Sequence, residues 1–370
     1  MGIKKIAIIT SLFTASILTF NGCANNKQSN PSAETASKKV VDTTSLYKAY
    51  KDYFPIGVAV EPSRLASTDP HSAVVIKEFN SLVAENAMKP ESLQPTEGNF
   101  NFKNADAIVD FAIAHNMKMR GHTLLWHQQI PAWFFKDPAD SSKQASREVV
   151  LKRLETHITT VLKHFKDKYG DKNPIYAWDV VNEAVSDQKG LRGSQEGSLW
   201  LDTVGEDYIE KAFEYAHKAD PNVKLYINDY NIERNSQKTT YMFDLVKALK
   251  DKNVPIDGIG MQMHVNINSR ISDIKSSIKK FKTLGLDIQV TELDMDMMGE
   301  VSEGRLAEQA KLYKEIFEAL IEEKGTISSV TFWGVSDELS WLKKPNAPLL
   351  FDSKLQPKAA YKSIIEVVNK

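Results

Sequence analysis

Two β-branched, apolar runs that end in carboxylates constrain this 370-residue chain more than any other feature. The first, Trp178-Asp179-Val180-Val181-Asn182-Glu183-Ala184, closes a run that starts at Ile175. The second is Ile288-Gln289-Val290-Thr291-Glu292-Leu293-Asp294. Each is too apolar for a surface strand, so both belong inside the fold. A glutamate at the end of such a strand costs several kcal/mol if it is desolvated without a partner. Two such placements need a reason, and one reason is that they face each other across an active site.

The remaining sequence extends the pattern. Short apolar segments at 56–60, 82–85, 118–123, 175–181, 224–228, 258–263, 287–291 and 329–332 read as strands. Helical periodicity occupies 72–79, 106–115, 147–169, 207–219, 237–251, 271–284, 305–323 and 358–368. Regular alternation of this kind predicts a single (β/α)8 TIM barrel rather than an open doubly wound sheet. No Gly-x-Gly-x-x-Gly follows the first strand, which argues against a dinucleotide site.

A barrel places its functional groups at the C-terminal strand ends. Those ends carry Glu85-Asn86 with Lys89, Gly121-His122 with Trp126 and His127, Asn182-Glu183, and Asn228-Asp229-Tyr230-Asn231. They continue with Gln262-Met263-His264, Glu292 with Asp294, and Trp333 with Trp341. The opposite ends carry nothing similar. Among these residues Asn228 and Tyr230 are read as within reach of a substrate, and His127, Asp229 and Asn231 as structural. Paired glutamates suit cleavage of a glycosidic bond, where one protonates the leaving oxygen and the other attacks or activates water. A separation of about 5–5.5 Å gives retention and about 6.5–9.5 Å gives inversion.

A net charge of −1 argues against nucleic acid as a partner. Three histidine-bearing clusters raise the alternative of a metal site, but no His-Glu-x-x-His occurs, and neither metal nor cofactor is expected. Cys23 is the only cysteine, so no intrachain disulfide forms. Lys4 and Lys5, an apolar run over 6–20, then Asn21-Gly22-Cys23 resemble a bacterial lipoprotein signal. The apolar run is shorter than the roughly 20 residues of a membrane span. The expected organisation is a signal peptide over 1–22 with Cys23 lipid-modified, a polar tether over 23–45, and a catalytic domain over 46–370. The expected location is extracytoplasmic, lipid-anchored or otherwise secreted, with the membrane engaged only through that anchor. A monomer is expected.

Six of these motifs together resemble glycoside hydrolase family 10, the endo-β-1,4-xylanases. They are the first carboxylate run, Thr291-Glu292-Leu293-Asp294 of the second, Gly121-His122-Thr123-Leu124-Leu125-Trp126-His127, Asn228-Asp229-Tyr230-Asn231, Gly260-Met261-Gln262-Met263-His264 and Thr331-Phe332-Trp333-Gly334-Val335-Ser336-Asp337. The resemblance covers about residues 48 to 368 in order. It implies a retaining (β/α)8 enzyme acting on xylan and xylo-oligosaccharides, with Glu183 as acid/base and Glu292 as nucleophile. Glu292 then needs donors, and His264 held by Asp294 is the expected one. Glu183 has to hold a proton at rest, which burial and the neighbouring charge of Glu292 would favour. Asn182 is placed to bind a sugar 2-hydroxyl. The same carry-over makes Glu85, Asn86, Lys89, His122, Trp126, Gln262, Trp333 and Trp341 the glycone-side contacts. The sequence departs from many relatives at Met88-Lys89-Pro90-Glu91, which lacks a tryptophan after the lysine, and at Leu342-Lys343-Lys344-Pro345, which lacks an arginine. Two rival functions stay open: a β-1,4-glucanase or cellobiosidase on the same scaffold, and a non-catalytic glycan-binding lipoprotein.

Overall fold

The computed structural model describes residues 45–299, 301–343 and 345–369. Cys23, the signal and nearly all of the tether proposed above lie outside the described residues.

Eight parallel strands close into a barrel: β1 (Ile56–Val60), β2 (Ser81–Ala84), β3 (Lys118–Leu125), β4 (Ile175–Asn182), β5 (Lys224–Asp229), β6 (Gly258–Met261), β8 (Asp287–Asp296) and β9 (Ile327–Phe332). Pairing of β6 with β8 completes the ring. A ninth, β7 (His264–Asn266), lies outside the ring against the far end of β8, with His264 opposite Asp294. The expected sixth strand over 258–263 therefore breaks early. Met263 takes φ 58°, a left-handed conformation that turns the chain and restarts it as β7.

The principal helices are α1 (Leu46–Ala49), α2 (Pro70–Glu78), α3 (Pro90–Leu93), α4 (Lys103–Ala114), α5 (Arg147–Tyr169), α6 (Trp200–Val204), α7 (Tyr208–Ala219), α8 (Gln237–Asp251), α9 (Ile271–Lys282), α10 (Glu303–Glu322) and α11 (Ala359–Val367). The short helices α1, α3 and α6 are not foreseen above, because four or five residues carry too little periodicity to register. The long helices start on side-chain caps. Ser146, Ser236 and Ser302 accept from Val149, Thr239 and Arg305 N–H groups at the starts of α5, α8 and α10. In α5 the buried residues 150, 153, 154, 157, 158, 161, 162 and 165 form one stripe against the barrel.

The barrel interior is not purely apolar. Arg120 of β3 meets Asp179 of β4 through two N–H groups and donates to Gln289 of β8 at 2.7 Å. Its guanidinium lies 4.4 Å from the ring centre of Tyr226 on β5. Burial opposes charge on both Arg120 and Asp179, but each outweighs that cost for the other: Asp179 is held below the usual carboxylate range and Arg120 is held charged. Two glycines of β6 make room for this layer. A Cβ on Gly258 would sit 2.2 Å from the Tyr226 ring, and one on Gly260 would sit 3.0 Å from Arg120 Nη2 and 2.1 Å from Asn228 Oδ1.

Candidate active site

The strand ends deliver their polar groups to one cleft. It is lined by Glu85, Asn86, Lys89, His122, Trp126, Asn182, Glu183, Tyr230, Gln262, His264, Glu292, Trp333 and Trp341, all singled out in the sequence. His127, Gln128, Gln129 and Arg192 line it as well. Asn228 is absent from the wall. It is fully buried beneath the floor, so it does not meet a ligand directly as the sequence suggested. Its amide group is consumed by neighbours: Nδ2 donates to Asn182 Oδ1 at 2.8 Å and Glu292 Oε1 at 2.7 Å, and Oδ1 accepts from Thr291 at 2.7 Å.

Glu292 leaves β8 into a nest of donors. Beside Asn228, His264 Nε2 lies 3.2 Å from Oε2, and His122 Nδ1 lies 4.0 Å from Oε1. Burial opposes its charge, but the hydrogen bond with His264 and the two imidazoles hold the carboxyl below the usual carboxylate range. His264 Nδ1 lies 2.9 Å from Asp294 Oδ1, and Trp341 Nε1 donates to Asp294 Oδ2 at 2.7 Å. Burial works against an imidazolium at His264, yet Asp294 and Glu292 outweigh it and raise its pKa well above the ordinary value.

Glu183 stands one residue past β4 in the left-handed region, φ 56°. That strained position is held from several directions. Its N–H donates to Asn228 O at 2.8 Å, and Arg192 Nε donates to its carbonyl at 3.0 Å. Trp126 Nε1 donates to Oε2 at 2.9 Å, and Gln262 Nε2 lies 3.2 Å from Oε1. Gln262 Nε2 also reaches Asn182 Oδ1 at 3.1 Å. One chain of hydrogen bonds thus joins the two glutamates: Glu183, Gln262, Asn182, Asn228, Glu292.

The other end of the cleft is a polar cradle. Lys89 Nζ donates to Asn86 Oδ1 at 3.0 Å and Gln129 Oε1 at 2.8 Å, and lies 4.8 Å from the Trp126 ring centre. Burial lowers the Lys89 pKa, although Glu292 and Glu85 pull it up. Glu85 is pushed up to about 7 by burial and by Glu61, with Lys89 opposing. Asn86 Nδ2 donates to Glu61 Oε1 at 2.7 Å. Aromatic walls close the space: Trp333 packs edge-on to His122 at 5.3 Å, and the half-exposed Trp341 packs edge-on to His264 at 5.2 Å. His127 is pushed down to about 4 by burial and by the charges of Arg192 and Lys238.

Gln128, Gln129 and Arg192 escaped the sequence reading, the two glutamines for one reason and the arginine for another. Gln128 and Gln129 follow Trp126 on the same loop, so proximity to a motif marks them. Arg192 lies in mid-loop, away from any strand end, and no local pattern marks it.

The family model described as Glycosyl hydrolase family 10 matches residues 45–367. An endo-1,4-beta-xylanase A of Thermoanaerobacterium saccharolyticum is 65% identical over 325 residues, covering 88% of this chain and 28% of that protein. The exoglucanase XynX of Acetivibrio thermocellus is also 65% identical over 325 residues, covering 88% of this chain and 30% of that protein. The chain therefore spans less than a third of the length of these two relatives. The crystal structure of TsXylA, an intracellular xylanase of T. saccharolyticum, superposes with a TM-score of 0.85 at 66% identity, covering 86% of this chain and 98% of that one. A glutamate-to-alanine mutant of TsXylA with xylotetraose superposes with the same TM-score at 65% identity, covering 88% and 99%.

The expected extracytoplasmic, lipid-anchored location is corrected by this comparison. A barrel 66% identical in sequence is that of an intracellular xylanase. The expectation rested on residues 1–23 alone, and nothing in the chemistry of the cleft depends on being outside the cytoplasm.

Proposed function

The chain belongs to glycosyl hydrolase family 10, and from that premise we propose that residues 46–370 form a catalytic domain that hydrolyses internal β-1,4-xylosidic bonds with retention. The observation that carries this reading is the joining of Glu183 and Glu292 at one cleft through Gln262, Asn182 and Asn228. The solved complexes of TsXylA mutants with xylotriose and xylotetraose support the substrate class.

In the first step Glu292 attacks the anomeric carbon while Glu183 gives its proton to the leaving glycosidic oxygen. The glycosidic C–O bond breaks and an ester to Glu292 forms. In the second step water attacks the same carbon, Glu183 takes its proton, and the ester C–O bond breaks. The donors around Glu292 suit a nucleophile that has to stay ionised. Asn182, fixed by Gln262 and Asn228, presents its amide to the 2-hydroxyl, a contact that strengthens in the transition state.

Replacement of Glu292 by alanine tests the assignment. Xylan hydrolysis is expected to vanish, and azide is expected to restore turnover as a glycosyl azide of inverted configuration. Activity retained in that variant would overturn the double displacement. The β-glucanase or cellobiosidase alternative predicts kcat/KM on an aryl cellobioside equal to or above that on the xylobioside. The non-catalytic alternative predicts no reducing ends from xylan.

A further inference from the structure

Tyr230 lines the cleft, yet two of the groups that set its orientation, Asp187 and Lys238, do not. The loop after β4 folds back on itself: Ser186 N–H donates to Gly190 O at 3.0 Å and Arg192 N–H to Ala184 O at 2.8 Å. This brings Asp187 to the Tyr230 hydroxyl, which donates to Asp187 Oδ2 at 2.5 Å and accepts from Arg192 Nη2 at 2.8 Å. Lys238, on the first turn of α8, donates to Asp187 Oδ1 at 3.0 Å and lies 2.9 Å from Asp229 Oδ1. Its Nζ sits 3.4 Å from the Tyr230 ring centre.

Three consequences follow. The hydroxyl is used as both donor and acceptor, so the ring cannot swing without breaking charge-assisted bonds. Lys238 covers one face of the ring, so a ligand in the cleft meets only the other face or the edge. Arg192 also holds the Glu183 carbonyl, which ties Tyr230 to the acid/base rather than to the Glu85, Asn86 and Lys89 cradle. On the proposed mechanism that is the side of the leaving sugar.

We propose that Asp187 and Lys238 are positioning residues that fix Tyr230 as the platform for the sugar on the leaving-group side, and thereby set which bond of a xylo-oligosaccharide is cut. This rests on the xylan-hydrolase reading. Asp229 is buried and depends on Lys238, so Asp187 is the residue to vary.

The test compares the full-length chain with Asp187→Ala on linear xylo-oligosaccharides of three to six units and on an aryl β-xylobioside, whose leaving group is not a sugar. The KM on the oligosaccharides is expected to rise about fivefold, as for loss of one hydrogen bond, with a changed product distribution and a smaller loss on the aryl substrate. In a Tyr230→Phe background, Asp187→Ala is expected to add little, because the hydroxyl it holds is gone. Asp187→Asn, which keeps an acceptor for the hydroxyl, is expected to recover part of the loss. Parallel losses on both substrates, an unchanged product distribution, or full additivity with Tyr230→Phe would overturn the proposal. Xylan hydrolysis by the unaltered chain is read separately, so failure of the functional reading is distinguishable.

Discussion

His264 faces Glu292 through Nε2 at 3.2 Å, and its other nitrogen meets Asp294 at 2.9 Å. The imidazole is therefore wedged between two carboxylates, and each end depends on the other. Burial opposes its charge, but the two carboxylates raise its pKa well above the ordinary value, and the bond to His264 in turn helps to hold Glu292 below the usual carboxylate range.

Asp294→Asn separates these effects. Without the second carboxylate, His264 loses its proton at lower pH, and the alkaline limb of kcat/KM moves down. At low pH His264 stays protonated in either form, so the acid limb is expected to stay in place. The bell is expected to narrow from its alkaline side only, with the loss roughly tenfold larger at pH 8 than at pH 6. A pH–rate profile lowered uniformly, with unchanged shape, would show that Asp294 acts only by packing.

Glu183 is held by Trp126 and Gln262 at the strained end of β4. Glu183→Ala is expected to lower xylan hydrolysis by about 10²–10⁴, the usual worth of a general acid. An aryl xylobioside with a good leaving group needs no proton donor in the first step, so its ester should form quickly and accumulate. Stopped-flow measurement should then show a burst followed by slow turnover. Equal losses on both substrates, without a burst, would remove Glu183 from the acid role.

Much of this site was legible in the sequence, and the failures have physical causes. The starts of α5 and α8 follow from Ser146 and Ser236, whose side chains cap their first turns. The carboxylates on β4 and β8 were visible because a charge at the end of a buried strand is costly. The sixth strand was read too long because Met263 keeps the apolar alternation of Ile259 and Met261, while the left-handed turn at the buried Met263 leaves no mark in that alternation. Asn228 was assigned to the substrate because it ends a strand. Whether a strand-end amide points up to the cleft or down to Thr291 and Glu292 depends on strand pairing that a local pattern does not encode.

Glu85 offers a stability measurement independent of catalysis. Its carboxyl titrates near 7 in the folded chain, raised by burial and Glu61. The unfolded carboxyl loses its proton at about 4.3. Between these values the unfolded state binds fewer protons, so stability falls as pH rises, and the full cost is present above pH 7. Glu85→Gln is therefore expected to stabilise the fold by on the order of 2 kcal/mol at pH 8 and hardly at all at pH 4, while weakening xylan binding. Denaturant unfolding at the two pH values checks it. A gain of equal size at both would mean that the charge of Glu85 is not the cause.

The tryptophan walls bear on xylose against glucose. Trp333 is buried beside His122, whereas Trp341 is 52% exposed and fixed by its hydrogen bond to Asp294. A glucosyl unit differs from a xylosyl unit by the hydroxymethyl group at C5, and a rigid aromatic wall excludes that group sterically rather than by weaker attraction. Trp341→Ala removes the more exposed wall and a stacking surface together. Activity on xylan should fall, while the ratio of kcat/KM on an aryl cellobioside to that on the xylobioside should rise about tenfold, the usual worth of relieving a clash of one carbon unit. Trp341→Phe keeps a wall but loses the bond to Asp294, so it should fall between the two. If Trp341→Ala left the ratio unchanged while lowering both rates, the wall would serve only to stack the sugar, and selection against glucose would have to come from Trp333.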